Sequence, residues 1–534
     1  PKPLIKLKNK SLLEHQINKL ISADITSILI LCRYMPESIK KEINRLNEEK
    51  NLNKNPIKVF VENNNLGTAG AISQAKHLLN ENFIVLYGDT YLDIFFRRFI
   101  DFYNIHSNID GLIFVHPNSH PYDSDVIIDG ANNFISDIRP YPHQDDELLP
   151  NLVNAALYIL KKESFFKAYK NIDKSTIDIC KNIFPEMIKI GCLLKSYHSS
   201  EYIKDCGTPE RHSQIENHLN LKIPQKRNLK NQQKAIFIDR DQTLISNEYI
   251  HSDQSEILIS KNSDKFLSKI NSSEYLSILV SNQPAVAKGF IKEKDLLNIS
   301  HKLDMELANR DCFIDRKYHC IHHKDIGFES EKINLKFSCD CRKPSIGMFE
   351  RASSEYNINP SDSWMIGDSI NDYLASFLFG STFLHLNDNL SLDDPIVPYI
   401  SCKNFDEISQ IIFVEYPILI SQFTQNDQLI KFTKSKDKFF TLNGLNTKEL
   451  ILKLKAVVEI LNKYPSKNHK KTLFRKILYI PKENVRKIST FEKFLFRVIS
   501  NNKIPEHVGF DLSPATVTPL RSNFEVKIVE GIIN

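Results

Sequence analysis

Long apolar stretches are missing from this 534-residue chain. A helix that crosses a bilayer needs about 20 apolar residues in succession. The most apolar segment, residues 411–420, is broken by Glu415 and Pro417, which excludes a membrane span. The chain opens on Pro1-Lys2-Pro3, with no basic segment leading into an apolar stretch and a small-residue cleavage site, so no secretion signal is visible. It also lacks an initiating Met, which points to a segment upstream of Pro1. Charge of one sign is scarce: 70 Lys plus Arg against 65 Asp plus Glu leaves +5, too near balance for nucleic acid as the main partner. Nine cysteines in so long a chain do not make a disulfide scaffold. The 15 glycines and the Asn/Lys/Ile bias fit genomic base composition rather than a functional tract, and no internal repeat is visible.

What is present is ordinary globular composition, 41% hydrophobic and 25% charged. The length suits about three or four domains. Leu13, Ile17, Leu20 and Ile21 recur at helical spacing, as do Ile39, Ile43 and Leu46, while residues 25–31, 59–61, 83–87 and 112–115 read as short buried strands. Alternating strand and helix predict a doubly wound α/β domain over residues 1–220. Residues 221–233 are polar and basic, contain Pro224 and read as a linker. The alternation restarts at residue 234, predicting a second doubly wound α/β domain over residues 234–400. Its strands, residues 235–238, 276–280 and 364–366, each end at a polar residue, so Asp239, Ser281 and Asp368 are expected to converge at the carboxyl edge of an open sheet. Residues 401–534 are unassigned and expected to be α-rich or mixed. Asn446 and Glu449 have capping-box spacing ahead of a helical stripe from Leu450 to Leu461. Residues 431–500 hold 18 Lys plus Arg and 5 Asp plus Glu, a charge run expected to be a solvated helical face rather than a site for an anionic partner.

The strongest chemical signal is Asp239-Arg240-Asp241-Gln242-Thr243 directly after a strand. Two carboxylates two residues apart can divide labour, one attacking phosphorus and the other protonating the leaving oxygen before activating water. Such an attack on a phosphate dianion needs positive charge, which Mg²⁺ and a lysine supply. Lys343 and the turn Gly367-Asp368-Ser369, with Asp372, are placed to serve. These motifs, with Ser281-Asn282-Gln283 between them, resemble those of the haloacid dehalogenase (HAD) superfamily of aspartate-nucleophile phosphatases. The resemblance implies a HAD-like Rossmannoid fold with Asp239 as nucleophile and Asp241 as general acid/base. It implies Thr243, Ser281, Asn282, Arg342 and Lys343 at the phosphate, and Mg²⁺ held by Asp239, Asp241 and Asp368. Gln242 stands where that superfamily usually has Gly, and Pro284-Ala285 replace a usual Ser-Gly.

Cys320-Ile321-His322 and Cys339-Asp340-Cys341 supply a ligand pair at each end of a short loop. Three thiolates and an imidazole form a closed tetrahedral set suited to structural Zn²⁺ in a reducing, cytoplasmic setting. His319 and His323 flank it and are expected to be solvated or packed behind the ligands. Because Arg342 and Lys343 follow the last ligand, the metal would order two cations at the substrate. The arrangement looks like the zinc-loop phosphatases that remove the 7-phosphate of D-glycero-D-manno-heptose 1,7-bisphosphate. Histidinol-phosphate phosphatases share nearly the same signature.

A second set lies upstream: Pro1-Lys2-Pro3-Leu4, Leu66-Gly67-Thr68-Ala69-Gly70-Ala71, Gly88-Asp89, Asn154-Ala155-Ala156 and Asp205-Cys206-Gly207-Thr208-Pro209. Small residues let backbone approach a base, and two distant carboxylates can hold the cation that neutralises a pyrophosphate leaving group. The set is similar to the sugar-1-phosphate nucleotidyltransferases of the mannose- and heptose-1-phosphate guanylyltransferase type, with a Rossmann-like fold. That resemblance puts Lys2 at phosphate, Gly67, Thr68, Ala69 and Gly70 at the nucleotide, Asn154 at the sugar, and Asp89 with Asp205 on Mg²⁺. The family's Gly-rich loop belongs upstream of Pro1, and Ala156 stands where Gly is usual. A phosphatase yielding heptose 1-phosphate makes the substrate a transferase needs. The leading expectation is thus a bifunctional cytoplasmic enzyme of nucleotide-activated heptose synthesis, with sugar phosphates and a nucleoside triphosphate as partners. Two alternatives stay open: a histidinol-phosphate or other sugar-bisphosphate phosphatase, and an N-terminal domain that binds sugar phosphate without turnover. The oligomeric state is not legible.

Overall fold

The computed structural model describes residues 1–52, 56–144, 147–247, 256–386 and 399–413. The stripe at 450–461 and the basic run at 431–500 lie outside them. Two units are present: Pro1–Gln233 with Leu267–Leu276 and Leu297–Asp315, and Lys234–Phe266 with Ser277–Leu296 and the described residues from Arg316 onward. Among the described residues no helix is long and apolar enough to cross a membrane.

In the first unit the predicted helices form as Leu12–Ser22 and Pro36–Glu49. Ser11 caps the former by accepting from the Glu14 N–H. The main sheet is mixed. Leu194–His198 pairs in parallel with Gly111–His116, and Val153–Lys161 runs antiparallel to both Gly111–His116 and Asn82–Leu86. The strand expected over residues 25–31 covers only Leu29–Cys32 and pairs in parallel with Lys58–Val61, in a sheet of its own. Within the segment expected as a linker, Ile223–Arg227 is helical, and Ile223 is buried with Leu7, Tyr91 and Leu219.

The second unit holds a six-stranded sheet in the order Arg316–Cys320, Tyr275–Asn282, Lys234–Ile238, Trp364–Gly367, Thr382–Leu386 and Ile400–Cys402. Its assigned pairings are parallel. Ala235, Ile236, Phe237 and Ile238 are all buried, as expected of a central strand covered on both faces. The sheet and the helix Phe405–Phe413 carry regular structure past residue 400, the boundary drawn from the sequence.

Candidate active sites

In the second unit Asp239 follows the central strand, and its N–H donates to the Ile366 carbonyl (3.0 Å), which ties the turn to the strand leading into Asp368. Lys343 Nζ lies 2.8 Å from Asp239 Oδ1 and 2.6 Å from Asp372 Oδ1, and donates to the Val280 carbonyl at 2.8 Å. Asn282 brings it there. Its Oδ1 accepts the Lys343 N–H (2.9 Å) and its Nδ2 donates to the Lys343 carbonyl (3.0 Å), so the carboxamide holds both backbone groups of Lys343. Thr243 is fully buried and donates to Asp368 Oδ1 (3.4 Å). Asp372 closes a capping box with Ser369 on the helix Ile370–Phe379.

The carboxylates of Asp239, Asp368 and Asp372 come within 4.8 Å of one another. Asp241, expected among the Mg²⁺ ligands, is not of this cluster. Its carboxylate is taken by Arg240 Nε (2.9 Å) and Nη2 (3.1 Å) and by Gln283 Nε2 (2.7 Å). Three carboxylates against one ammonium leave excess negative charge in a buried place, which fits a divalent cation with oxygen ligands. Burial pushes the Asp239 carboxyl up, with Lys343 opposing. The Asp368 carboxyl is also raised, by burial first and then by Asp372. Burial works against the Lys343 ammonium, yet Asp239 and Asp372 outweigh it and hold its pKa above the ordinary lysine value.

Beyond the strand Arg316–Cys320, the sulfurs of Cys320 and Cys339 are 3.5 Å apart, and that of Cys341 lies 3.2 Å from each. His322 Nδ1 is 3.2 Å from Cys341 Sγ and 3.9 Å from Cys320 Sγ. Ligands about 2.3 Å from a tetrahedral zinc stand roughly 3.8 Å from one another. The four residues therefore fit the expected Zn²⁺, and Arg342 Nη1 reaches the carbonyl of His322 (3.4 Å). His323 is held by backbone, its N–H on the Leu335 carbonyl (3.2 Å). His319 is not solvated: both its ring nitrogens are out of water, and burial, followed by the Arg240 charge, pushes the imidazole down to about 3. One zinc equivalent per chain is expected by elemental analysis, and a strong chelator should lower the melting temperature.

In the first unit Gly67 begins the helix Gly67–Gln74 at φ +81°, where a Cβ would meet the Ile177 carbonyl oxygen at 2.6 Å. A Cβ on Gly70 would strike Leu66. The smallness of this motif is thus required by the chain's own packing. The Ala69 N–H donates to the Ile177 carbonyl (2.9 Å), and Thr68 Oγ1 donates to Asp178 (2.9 Å) while accepting the Ile179 N–H. Lys2 lies 3.5 Å from Asp89, and the Cys206 N–H donates to the Asp89 carbonyl (2.7 Å), which brings Lys2, Asp89 and Asp205 into one corner. Arg211 takes both oxygens of Asp205 at 2.8 and 2.7 Å. Asn154 Oδ1 accepts the Ala156 N–H (3.0 Å). A cavity of about 560 Å³ is lined by Tyr87, His116, Asn154, Lys204 and Asp205 among others. His116 is pushed down to about 4 by burial, so its imidazole is neutral there.

The nucleotidyl transferase family matches residues 1–221, and the HAD-hydrolase-like family matches residues 340–384. The D-glycero-beta-D-manno-heptose-1,7-bisphosphate 7-phosphatase of Pasteurella multocida is 39% identical over 144 residues, 27% of this chain and 74% of that protein. The chain belongs to this phosphatase family. The mannose-1-phosphate guanyltransferase of Hypocrea jecorina is 30% identical over 213 residues, 39% of this chain, which spans 56% of that relative's length. The D,D-heptose 1.7-bisphosphate phosphatase of B. bronchiseptica, solved with magnesium and phosphate, is 22% identical at a TM-score of 0.30, covering 34% of this chain and 97% of that one. The protein is an enzyme in which a nucleotidyltransferase-family segment is fused to a HAD-type phosphatase of this heptose-bisphosphate family.

Two positions where the resembled motifs led Gly to be expected share a physical meaning. Gln242 adopts φ +53° and Ala156 φ +56°, the left-handed region where a Cβ is strained and Gly is at ease. Gln242→Gly and Ala156→Gly should each raise stability by about 1 kcal/mol, read as a shift of the urea midpoint. The sequence reading missed that Arg240 and Gln283 act together on Asp241. Their adjacency to motif residues was a signal, but their side chains meet only through the fold.

Proposed function

We propose that the phosphatase half hydrolyses the 7-phosphate of D-glycero-D-manno-heptose 1,7-bisphosphate, and that the N-terminal half transfers GMP from GTP to the heptose 1-phosphate produced. The observation that carries the first part is the buried Asp239–Lys343–Asp372 constellation beside Asp368 and a second acid, Asp241. Asp239 attacks phosphorus, the P–O ester bond breaks, and Asp241 gives its proton to the leaving alkoxide. Water then attacks the aspartyl phosphate, giving its proton to Asp241 and freeing phosphate and Asp239. Lys343 neutralises the phosphoryl oxygens, with Ser281 and Arg342 assigned to the same phosphate. Mg²⁺, held by Asp239 and Asp368, would supply further positive charge to the phosphoryl group. Zn²⁺ on Cys320, His322, Cys339 and Cys341 would fix the loop that ends in Arg342 and Lys343.

In the N-terminal half an oxygen of the sugar 1-phosphate attacks the α-phosphorus of GTP and pyrophosphate leaves. Gly67, Thr68, Ala69 and Gly70 are assigned to the nucleotide, Asn154 to the sugar, and Lys2 with Asp89 and Asp205 to the phosphates and their cation. Consecutive chemistry on one chain favours heptose over histidinol phosphate, and thiol-rich metal chemistry suits the cytoplasm. Phosphate release from the heptose 1,7-bisphosphate and from histidinol phosphate tests the reading. Equal kcat/KM on the two would overturn the assigned substrate. Pyrophosphate release from GTP with heptose 1-phosphate tests the second half.

A further inference from the structure

Three hydrogen-bonding atoms beneath the phosphatase turn, Arg240 Nη1 and both ring nitrogens of His319, are out of solvent and meet no partner. The rest of the Arg240 guanidinium is fully used. Nε and Nη2 grip Asp241, and Nη2 also donates to Gln283 Oε1 at 2.8 Å. Gln283 Nε2 in turn donates to Asp241 Oδ2 at 2.7 Å and to Ser281 Oγ at 2.8 Å. Ser281 and His319 are direct partners on adjacent parallel strands, so their side chains leave the sheet on the same face. That register sets the imidazole beside the chain of contacts running from Ser281 through Gln283 to Arg240.

Buried polar groups are almost always satisfied, and where two of them face one another without direct contact an ordered water commonly joins them. We propose that His319 is a positioning residue for Asp241, joined by one bound water to Arg240 Nη1 and so steadying the guanidinium that grips the acid. A neutral imidazole has one donor and one acceptor and can serve such a water from either ring nitrogen. With its third nitrogen anchored, Arg240 cannot rotate out of the plane it shares with the Asp241 carboxylate, and Asp241 stays aimed at the ester oxygen. The inference rests on Asp241 being the general acid/base.

The test compares two esters. A sugar phosphate has an alkoxide leaving group that needs a proton, whereas p-nitrophenyl phosphate releases a stable phenolate that does not. His319→Phe is expected to lower kcat on the heptose bisphosphate about tenfold, part of the roughly 10²- to 10⁴-fold that a positioned acid supplies. KM should hold, the p-nitrophenol burst rate should hold, and His319→Gln, which restores a donor and an acceptor, should recover most of the loss. No loss in His319→Phe, or the same loss on both esters, overturns the inference. A crystal structure of the unaltered enzyme gives a second reading that does not depend on a variant folding. A water within about 3.2 Å of both His319 and Arg240 Nη1 is expected, and its lack overturns the proposal. Asp241→Asn separates the two levels: if it keeps full activity on the heptose bisphosphate, the general-acid assignment itself fails, whereas a dead Asp241→Asn beside a fully active His319→Phe removes only the role of His319.

Discussion

Asp239→Asn should abolish phosphate release from the heptose bisphosphate, lowering kcat on the order of 10⁴-fold or more, as removal of a covalent nucleophile does. The amide is nearly isosteric and stays beside Lys343, so the variant should remain folded. What it loses is the nucleophilic oxygen, and no aspartyl phosphate can form. Quenched turnover with radiolabelled substrate would show acid-stable label only on the protein with Asp239. Full activity in Asp239→Asn would end the assignment of this turn as the reacting centre.

Lys343→Met should be the most destabilising single change in the site. It leaves the nearly buried Asp239 and the fully buried Asp372 without their shared cation. Breaking a buried ion pair by removing one partner costs about 3–5 kcal/mol. The loss should depend on pH, with a sign fixed by Asp239. Burial already raises this carboxyl, and Lys343 is what opposes the rise. Without the ammonium its pKa in the folded chain climbs further above the unfolded value. A carboxyl raised on folding favours the folded state below its unfolded pKa, and that advantage disappears as pH rises through the folded pKa. The metal-free variant should therefore lie closest to the unaltered protein near pH 5 and furthest from it near pH 8, as measured by urea unfolding. A gap that widens toward low pH would contradict the account.

Asp239 and Asp368 were legible because each follows a strand whose apolar run is continuous. Residues 235–238 announced both a buried central strand and the place of Asp239 at its end. The Cys/His set was legible for the same local reason, since its pairs sit two residues apart. Elsewhere local signals stopped short. The strand at residues 25–31 was drawn too long because β-branched residues mark β propensity but not pairing, and pairing alone decided that it begins at Leu29. The segment at 221–233 looked like a linker because its polar surface outweighs a single Ile223, whose burial depends on Leu7, Tyr91 and Leu219 from distant positions.

The amino-acid order determined which groups exist and where each strand delivers them: two acids on one turn, a lysine after a ligand pair, small residues before a helix. Only the tertiary structure decided their employment. It gave Asp372, rather than Asp241, to the acid cluster, made Asn282 a support for Lys343, and showed that Gly67 and Gly70 answer to Ile177 and Leu66. The reason is that hydrogen bonds and close approaches are satisfied in space. A carboxylate's partners come from whichever side chains the sheet brings within about 3 Å, and spacing along the chain does not encode that distance.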